Sequence, residues 1–394
     1  GNPPYGAELS KNEQKYLSEK FCLGSTDTAQ LMISQSHELL KPKGYHGFIV
    51  PKALIYASNW KNIRDRILDD LKILLDVGKV WKEVKLEQSI YILQKDENHK
   101  SYLNGIRKDE YLGTENKIEK TYVKEFGFLL SGVSNEDLEL GRKIFKNSEK
   151  LEKYVENRRG SMLQGKIKKN GEISTIGGQQ IQRCFISGTK GYLDKMDIDD
   201  EKAIVCENSV LAQNIVAHIE NPVDHIKITS TVPINLEYAI LDTINQLIVN
   251  GDVSNYFISA LLNSKLINWY CYRFIFGKAI RTMHFDKPVT NRIPIINSRQ
   301  KDVDKNMKQL IELNEQLLDI TAKYETTLKT TLEIDKLNTK IKNIYDLEFN
   351  EFSKNITKII KRKLSPKENS EWIEYFNEQK EKIKKLTNKI KQLK

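Results

Sequence analysis

A chain of 394 residues holds two or three domains at about 100 to 200 residues each, which excludes a peptide or a single small module. Sixty-three Lys and Arg against 53 Asp and Glu give a net charge of +10, pointing to a polyanionic partner, nucleic acid first and an anionic membrane surface second. No apolar run approaches the roughly 18 residues of a spanning helix, so no transmembrane segment is expected.

Cys22, Cys184, Cys206 and Cys271 form no Cys-x-x-Cys pair, and the six histidines form no His-x-x-x-His with an acidic neighbour. Neither a metal site nor a disulfide framework is expected, and the setting reads as reducing and cytoplasmic.

Residues 1–100 read as α/β. Helical spacing is expected from 13 to 21 and from 29 to 40, where Lys41-Pro42-Lys43-Gly44 stops it. A strand follows at 47–51. Apolar residues at Ile63, Ile67, Leu71 and Leu74 then predict a helix over 60–75, with further strands at 77–81 and 89–94. From 101 to 300 short strands between Gly, Asn and Asp turns predict an α+β domain, with one long helix over 255–274 opened by Ser254.

Residues 301–394 hold one proline, Pro366, and no glycine. Trp372, Phe376, Gln379, Ile383, Leu386, Ile390 and Leu393 follow a 4-3-4-3-4-3 spacing, a heptad seam with one polar position. Leu310, Leu313, Leu317 and Ile320 repeat the pattern. Long helices are expected here, paired with each other or with a partner chain, and their charges read mainly as a solvated face.

The tetrapeptide Asn2-Pro3-Pro4-Tyr5 carries the chemistry. An exocyclic amine conjugated to an aromatic ring is a poor nucleophile, and accepting both of its hydrogens turns the nitrogen lone pair out of the ring plane. The Asn2 side-chain carbonyl and the Pro3 main-chain carbonyl are two such acceptors, and the proline pair stiffens their aim. Tyr5 adds a flat face on which a flipped-out base can stack.

With the helices and the strand that follow it, this loop resembles the catalytic motif of the gamma class of DNA adenine N6-methyltransferases. In that family an (Asn/Asp)-Pro-Pro-(Tyr/Phe) loop ends a strand. The resemblance implies catalytic roles for Asn2, Pro3 and Tyr5, and it matches Gly78-Lys79-Val80-Trp81 to a later motif whose aromatic residue contacts the opposite face of the adenine. It also matches the helix opened by Asp27 to the family's cofactor-contacting helix, with Met32 where the family has Phe.

The family binds S-adenosylmethionine with a Gly-x-Gly loop upstream of the catalytic motif, and no Gly-x-Gly occurs in these 394 residues. The chain therefore reads as the C-terminal portion of a longer enzyme, inactive without its cofactor-binding half. The expected architecture is a partial Rossmann-like α/β methyltransferase domain over 1–100, an α+β target-recognition domain over 101–300, and a helical hairpin or coiled-coil spacer over 301–394.

Residues 101–300 resemble the recognition domain of single-chain type IIG restriction-modification enzymes. The resemblance rests on Leu261-Leu262-Asn263-Ser264, Met283-His284 and Arg292-Ile293-Pro294-Ile295. Double-stranded DNA is then the expected partner. Gln179, Gln180, Gln182 and Arg183 form one candidate DNA-contact cluster, and Lys278, Arg281, Lys287 and Arg292 a second. Magnesium would serve only a nuclease lying upstream. Glu83-Val84-Lys85 mimics an acidic-x-Lys nuclease site and is set aside, because it falls inside the stretch matched around Trp81.

Two further readings compete. The chain could be a non-catalytic specificity module that acts with a separate cofactor-binding chain, or an assembly protein built on its terminal helices. The Asn-Pro-Pro-Tyr loop argues against assembly alone, and the missing Gly-x-Gly keeps the specificity module open.

Overall fold

A computed structural model describes residues 1–84, 86–108, 111–281, 283–296 and 299–393. Its first layer is a five-stranded sheet of β1 (Tyr45–Pro51), β2 (Leu71–Gly78), β3 (Gln88–Gln94), β4 (Ser101–Lys108) and β5 (Tyr111–Glu119), in the order β1-β3-β2-β4-β5. β3 runs antiparallel to both neighbours and β2 pairs parallel with β4, so β1, β2 and β4 point the same way. The sheet runs on past residue 100, where a domain boundary was expected, because β4 and β5 extend it as a hairpin.

Four helices accompany this sheet: α1 (Lys11–Phe21), α2 (Thr28–Glu38), α3 (Ala53–Tyr56) and α4 (Lys61–Ile67). Ser10 and Glu13 close a capping box on α1, and the Asp27 carboxylate caps α2 by accepting from Ala29 N and Gln30 N. The helix expected over 60–75 ends at Ile67, and the strand expected at 77–81 begins six residues earlier, at Leu71. Leu71 and Leu74 fit either period, and strand pairing takes them against Leu93 and Tyr91. Asp70 fixes the switch. Its carboxylate meets His37 Nε2 at 2.7 Å and accepts from Asp96 N, which holds the start of β2 beside the end of β3.

α5 (Lys120–Phe126) and α6 (Asn135–Lys146) lead into the second region. There a four-stranded antiparallel sheet takes strands 230–231, 209–213, 244–249 and 155–159 in that order, beside a three-stranded sheet of 191–193, 173–176 and 238–240. The long helix expected over 255–274 is two helices, α7 (Asn255–Asn263) and α8 (Lys265–Phe274). Asn263 turns aside to exchange two hydrogen bonds with the Ser230 backbone, and Ser264 leaves helical geometry to cap α8 through Ile267 N. A local side-chain bond competes here with the helix, which periodicity cannot register.

α9 (Lys287–Thr290) precedes the C-terminal helices α10 (Gln300–Leu332), α11 (Thr339–Lys342), α12 (Phe349–Ile360) and α13 (Pro366–Leu393). α10 and α13 pair with each other. Met307 and Leu310 share a core with Leu386 and Ile390, while Tyr324 and Leu328 share another with Trp372 and Phe376, so the pair is antiparallel. The heptad seam is its buried face. Beside the half-buried Gln379, Lys380 is itself buried and donates to Leu347 O and to Glu348.

Two outcomes are expected. Ser264→Ala removes a helix cap and costs about 1 kcal/mol, read as a lowered urea midpoint. His46 in β1 lies edge-on to Phe48 and Tyr91, and neither ring nitrogen has a hydrogen-bond partner among the described residues. Burial, and then the charge of His37, hold its pKa down to about 4. The unfolded chain binds this proton from about pH 6.5 downward, so the stabilisation is full above that and is lost as pH falls towards 4. In His46→Phe, denaturation midpoints across pH 4 to 7 should lose that part of the slope.

Candidate functional site

Gly1 pairs parallel with β1: Ile49 N donates to Gly1 O at 3.0 Å and the Gly1 amine to Gly47 O at 2.7 Å. The next residues are thereby aimed past the C-terminal end of β1. Asn2 is exposed, Pro3 is buried and Tyr5 is half-buried against the core. Thr28 Oγ1 donates to Pro4 O at 2.8 Å, which ties the loop to the first turn of α2 beside Asp27. Because β2 runs parallel to β1, the loop that leaves it emerges at the same end of the sheet. That loop carries a half-buried Trp81 and is held by Gly78 N on Asp76 and Val80 N on Gln88 Oε1. Topology therefore gathers Asn2, Pro3, Tyr5, Asp27 and Trp81 at one end of the sheet. Met32, on α2, is 40 % exposed.

At this end lies a cluster that sequence reading missed. Lys52 follows β1 directly, and its Nζ is 2.7 Å from Asp76 Oδ2 and 3.3 Å from Glu87 Oε1, with all three side chains at most 9 % exposed. The same ammonium donates to Lys278 O at 3.0 Å, and Glu87 Oε2 accepts from Ile280 N at 2.6 Å. Three buried charges on the sheet thus grip the backbone that follows α8. Gly277, at φ +55°, lets this loop lie on α3, since a Cβ there would stand 3.0 Å from Ile55. No spacing in the sequence announces the cluster.

The two DNA-contact clusters separate by burial. Arg292 was expected to face a phosphate. Its guanidinium instead donates to Phe274 O, lies 5.0 Å from the Phe128 ring and is held down to a pKa of about 10 by burial. Arg183 likewise spends two nitrogens on Ile228 O, both at 3.2 Å. Gln180 accepts from Gly177 N, and Gln182 donates to Gln179 O. Arg281 and Lys287 are exposed, and Lys278 is half-buried beside the Lys52 cluster.

Gln179 and Gln180 line a half-open cleft of about 330 Å³ with Lys190, Gln213 and Thr243, residues that sequence separation had hidden. Both amide hydrogens of Gln213 go to Gly178 O and Ile181 O, which fixes the direction of its carbonyl. Lys85, in the acidic-x-Lys stretch, lies outside the described residues. Among the described residues no cluster of His, Cys, Asp or Glu could hold a metal ion, and no helix is long and apolar enough to cross a membrane.

Residues 1–79 match the family described as Eco57I restriction-modification methylase, and residues 296–394 match a domain of unknown function, DUF8810. No curated protein matches the chain. Among solved structures it is similar to the type IIL restriction-modification enzyme MmeI in complex with DNA, with a TM-score of 0.49 and 10 % identity over 100 % of this chain and 56 % of that one. The type IIG restriction endonuclease BpuSI gives a TM-score of 0.32 and 10 % identity over 98 % of this chain and 53 % of that one. The DrdV–DNA complex gives 0.41 and 10 % over 79 % and 44 %. The chain spans about half the length of the first two.

Lys52→Met leaves Asp76 and Glu87 buried without a counter-ion and should cost about 3 to 5 kcal/mol in chemical denaturation. Hydrogen exchange should quicken in the backbone around Ile280 and Val80 together, while α10 and α13 keep their protection.

Proposed function

We propose that this chain is part of a site-specific DNA adenine N6-methyltransferase of the gamma class from a restriction-modification system. In this reading residues 1–100 hold the flipped adenine, 101–300 recognise the target sequence and 301–394 form a helical spacer. The observation that carries it is the Asn2-Pro3-Pro4-Tyr5 loop beside the C-terminal end of β1, at the same end of the sheet as Trp81. The match of residues 1–79 to a restriction-modification methylase family supports the same reading.

The chemistry assigned to the loop is local. Asn2 Oδ1 and Pro3 O accept the two amine hydrogens of adenine, which turns the N6 lone pair out of the ring plane and raises its nucleophilicity. Tyr5 and Trp81 stack on the extruded base and offset the few kcal/mol lost on leaving the duplex.

S-adenosylmethionine would supply the methyl group. The two residues proposed to meet it do not make a site for it: the Asp27 carboxylate is engaged by Ala29 N and Gln30 N, and Met32 lies exposed. A second reading is a DNA specificity module that acts with a separate cofactor-binding chain.

Titration calorimetry with S-adenosylmethionine, and then with mixed-sequence duplex DNA across a salt series, tests the proposal. Salt-sensitive DNA binding without donor binding is the expected result, and a chain that ignores duplex DNA overturns it. In the complete enzyme Asn2→Ala should abolish formation of N6-methyladenine, measured by mass spectrometry of digested DNA, while leaving the Kd for DNA within about two-fold. Full activity of that variant would leave only the specificity-module reading.

A further inference from the structure

Six of the 21 Lys and Arg in residues 301–394 stand close together at the end of the C-terminal helices away from the main core. Between Glu351 and Glu368 stand six cations, Lys354, Lys358, Lys361, Arg362, Lys363 and Lys367, and no carboxylate. α12 buries Phe352 and Ile356 on one face and exposes Lys354 and Lys358, four apart, on another, and its left-handed C-cap Lys361 is also exposed.

Ordinary structural roles take only part of this charge. Arg362 is spent on Glu368 through two nitrogens and pins the turn into α13, and Lys367 lies 4.0 Å from Glu371. A cation in the last turn complements the helix dipole, which explains Lys358. Lys361, the C-cap, shares that role, whereas Lys354 and Lys363 have neither, and none of the four has a carboxylate partner among the described ion pairs. Beside these lysines opens a shallow cleft of about 630 Å³ with mixed walls, polar at Asn350, Ser353, Lys354, Asn369 and Ser370 and apolar at Phe349 and Ile373.

The position of these lysines sets their reach. α10 is anchored on the recognition region where Met307 Sδ lies 3.7 Å from Cys184 Sγ, and the distal core around Leu328, Phe352 and Trp372 contains no residue of that region. From Met307 to Leu328 the helix climbs about 32 Å at 1.5 Å per residue. One turn of duplex DNA spans about 34 Å.

We propose that the exposed lysines Lys354, Lys358 and Lys361 and the adjoining cleft form a second, sequence-independent contact for the phosphates of duplex DNA, about one helical turn along α10 from its anchor on the recognition region. The inference rests on the reading of this chain as a DNA enzyme. It assigns to residues 354–363 a binding surface that this reading does not require.

The test is fluorescence anisotropy of the whole chain with mixed-sequence duplexes of about 14 and about 40 base pairs across a salt series, the lengths spanning less than two and about four turns. The variant is Lys354→Ala/Lys358→Ala/Lys361→Ala, and circular dichroism checks that its helices persist. On the long duplex the variant should bind at least about ten-fold more weakly at low salt, with a log Kd against log salt slope shallower by about 2 to 3, near 0.9 for each phosphate it no longer neutralises. On the short duplex it should match the wild type.

Equal binding of wild type and variant to the long duplex overturns the proposal while leaving the DNA reading intact. An equal weakening on both lengths overturns the distant placement. Wild-type binding to anionic vesicles in preference to the long duplex, abolished in the variant, makes these lysines a membrane contact and overturns their assignment to DNA. A wild-type chain that binds neither duplex overturns both readings.

Discussion

The arrangement depends on one buried ammonium. Lys52 sits where β1 gives way to α3, and its charge is balanced inside the protein by Asp76 from the end of β2 and Glu87 from the start of β3. Burying three charges costs several kcal/mol unless every lone pair and proton finds a partner. Here the remaining partners are backbone groups: Gly78 N on Asp76, and Lys278 O and Ile280 N on the other two. Satisfying the cluster therefore dictates where two loops go. One carries Trp81 and the other carries Lys278 and Arg281.

This explains why the second region cannot be treated as a separate bead. The hydrophobic core is continuous from Ile55 and Leu129 on one side to Phe274, Ile293 and Met307 on the other. Apolar burial is non-directional and would tolerate sliding. The charge cluster supplies the direction, because an ammonium at 2.7 Å from one carboxylate and 3.0 Å from a carbonyl has little freedom to move. Lys278, held in left-handed backbone geometry at φ 55°, is the residue whose carbonyl it grips, so a conformation disfavoured for lysine is retained where the two regions meet.

What the sequence disclosed and what it hid follow from how far apart the cooperating residues stand. The Asn2-Pro3-Pro4-Tyr5 motif stands out because its residues are consecutive, and the long C-terminal helices because a heptad repeats over many turns, while the seam alone left open whether they pair with each other or with a partner chain. Lys52, Asp76 and Glu87 are separated by 24 and 11 positions, and each alone looks like a solvated charge. Arg292 misled for the same reason: charge is visible in sequence, whereas the Phe128 ring and the Phe274 carbonyl that enclose it are not. Leu71 and Leu74 lie at spacings shared by helix and strand, and only the partner strand β3 decides between them. The break at Ser264 was masked by apolar residues that keep helical spacing across it.

The loop gripped by Lys52 continues into a ribbon fastened at its other end. Val216 N donates to Met283 O, Phe285 N to Asn214 O, and Asn157 Nδ2 to Phe285 O, which ties residues 283–285 to the strands 155–159 and 209–213. Gln213, at the end of the second of these strands, lines the glutamine-rich cleft. Hydrogen bonds thus fix Lys278 and Ile280 to the end of the sheet that bears Asn2 and Trp81, and residues 283–285 to the strands beside the cleft bearing Gln179, Lys190 and Gln213. The end of the sheet bearing Asn2 and Trp81 and the cleft bearing Gln213 come from parts of the chain far apart in sequence, and because apolar burial alone sets no direction, the directional bonds of the Lys52 cluster are what orient one against the other.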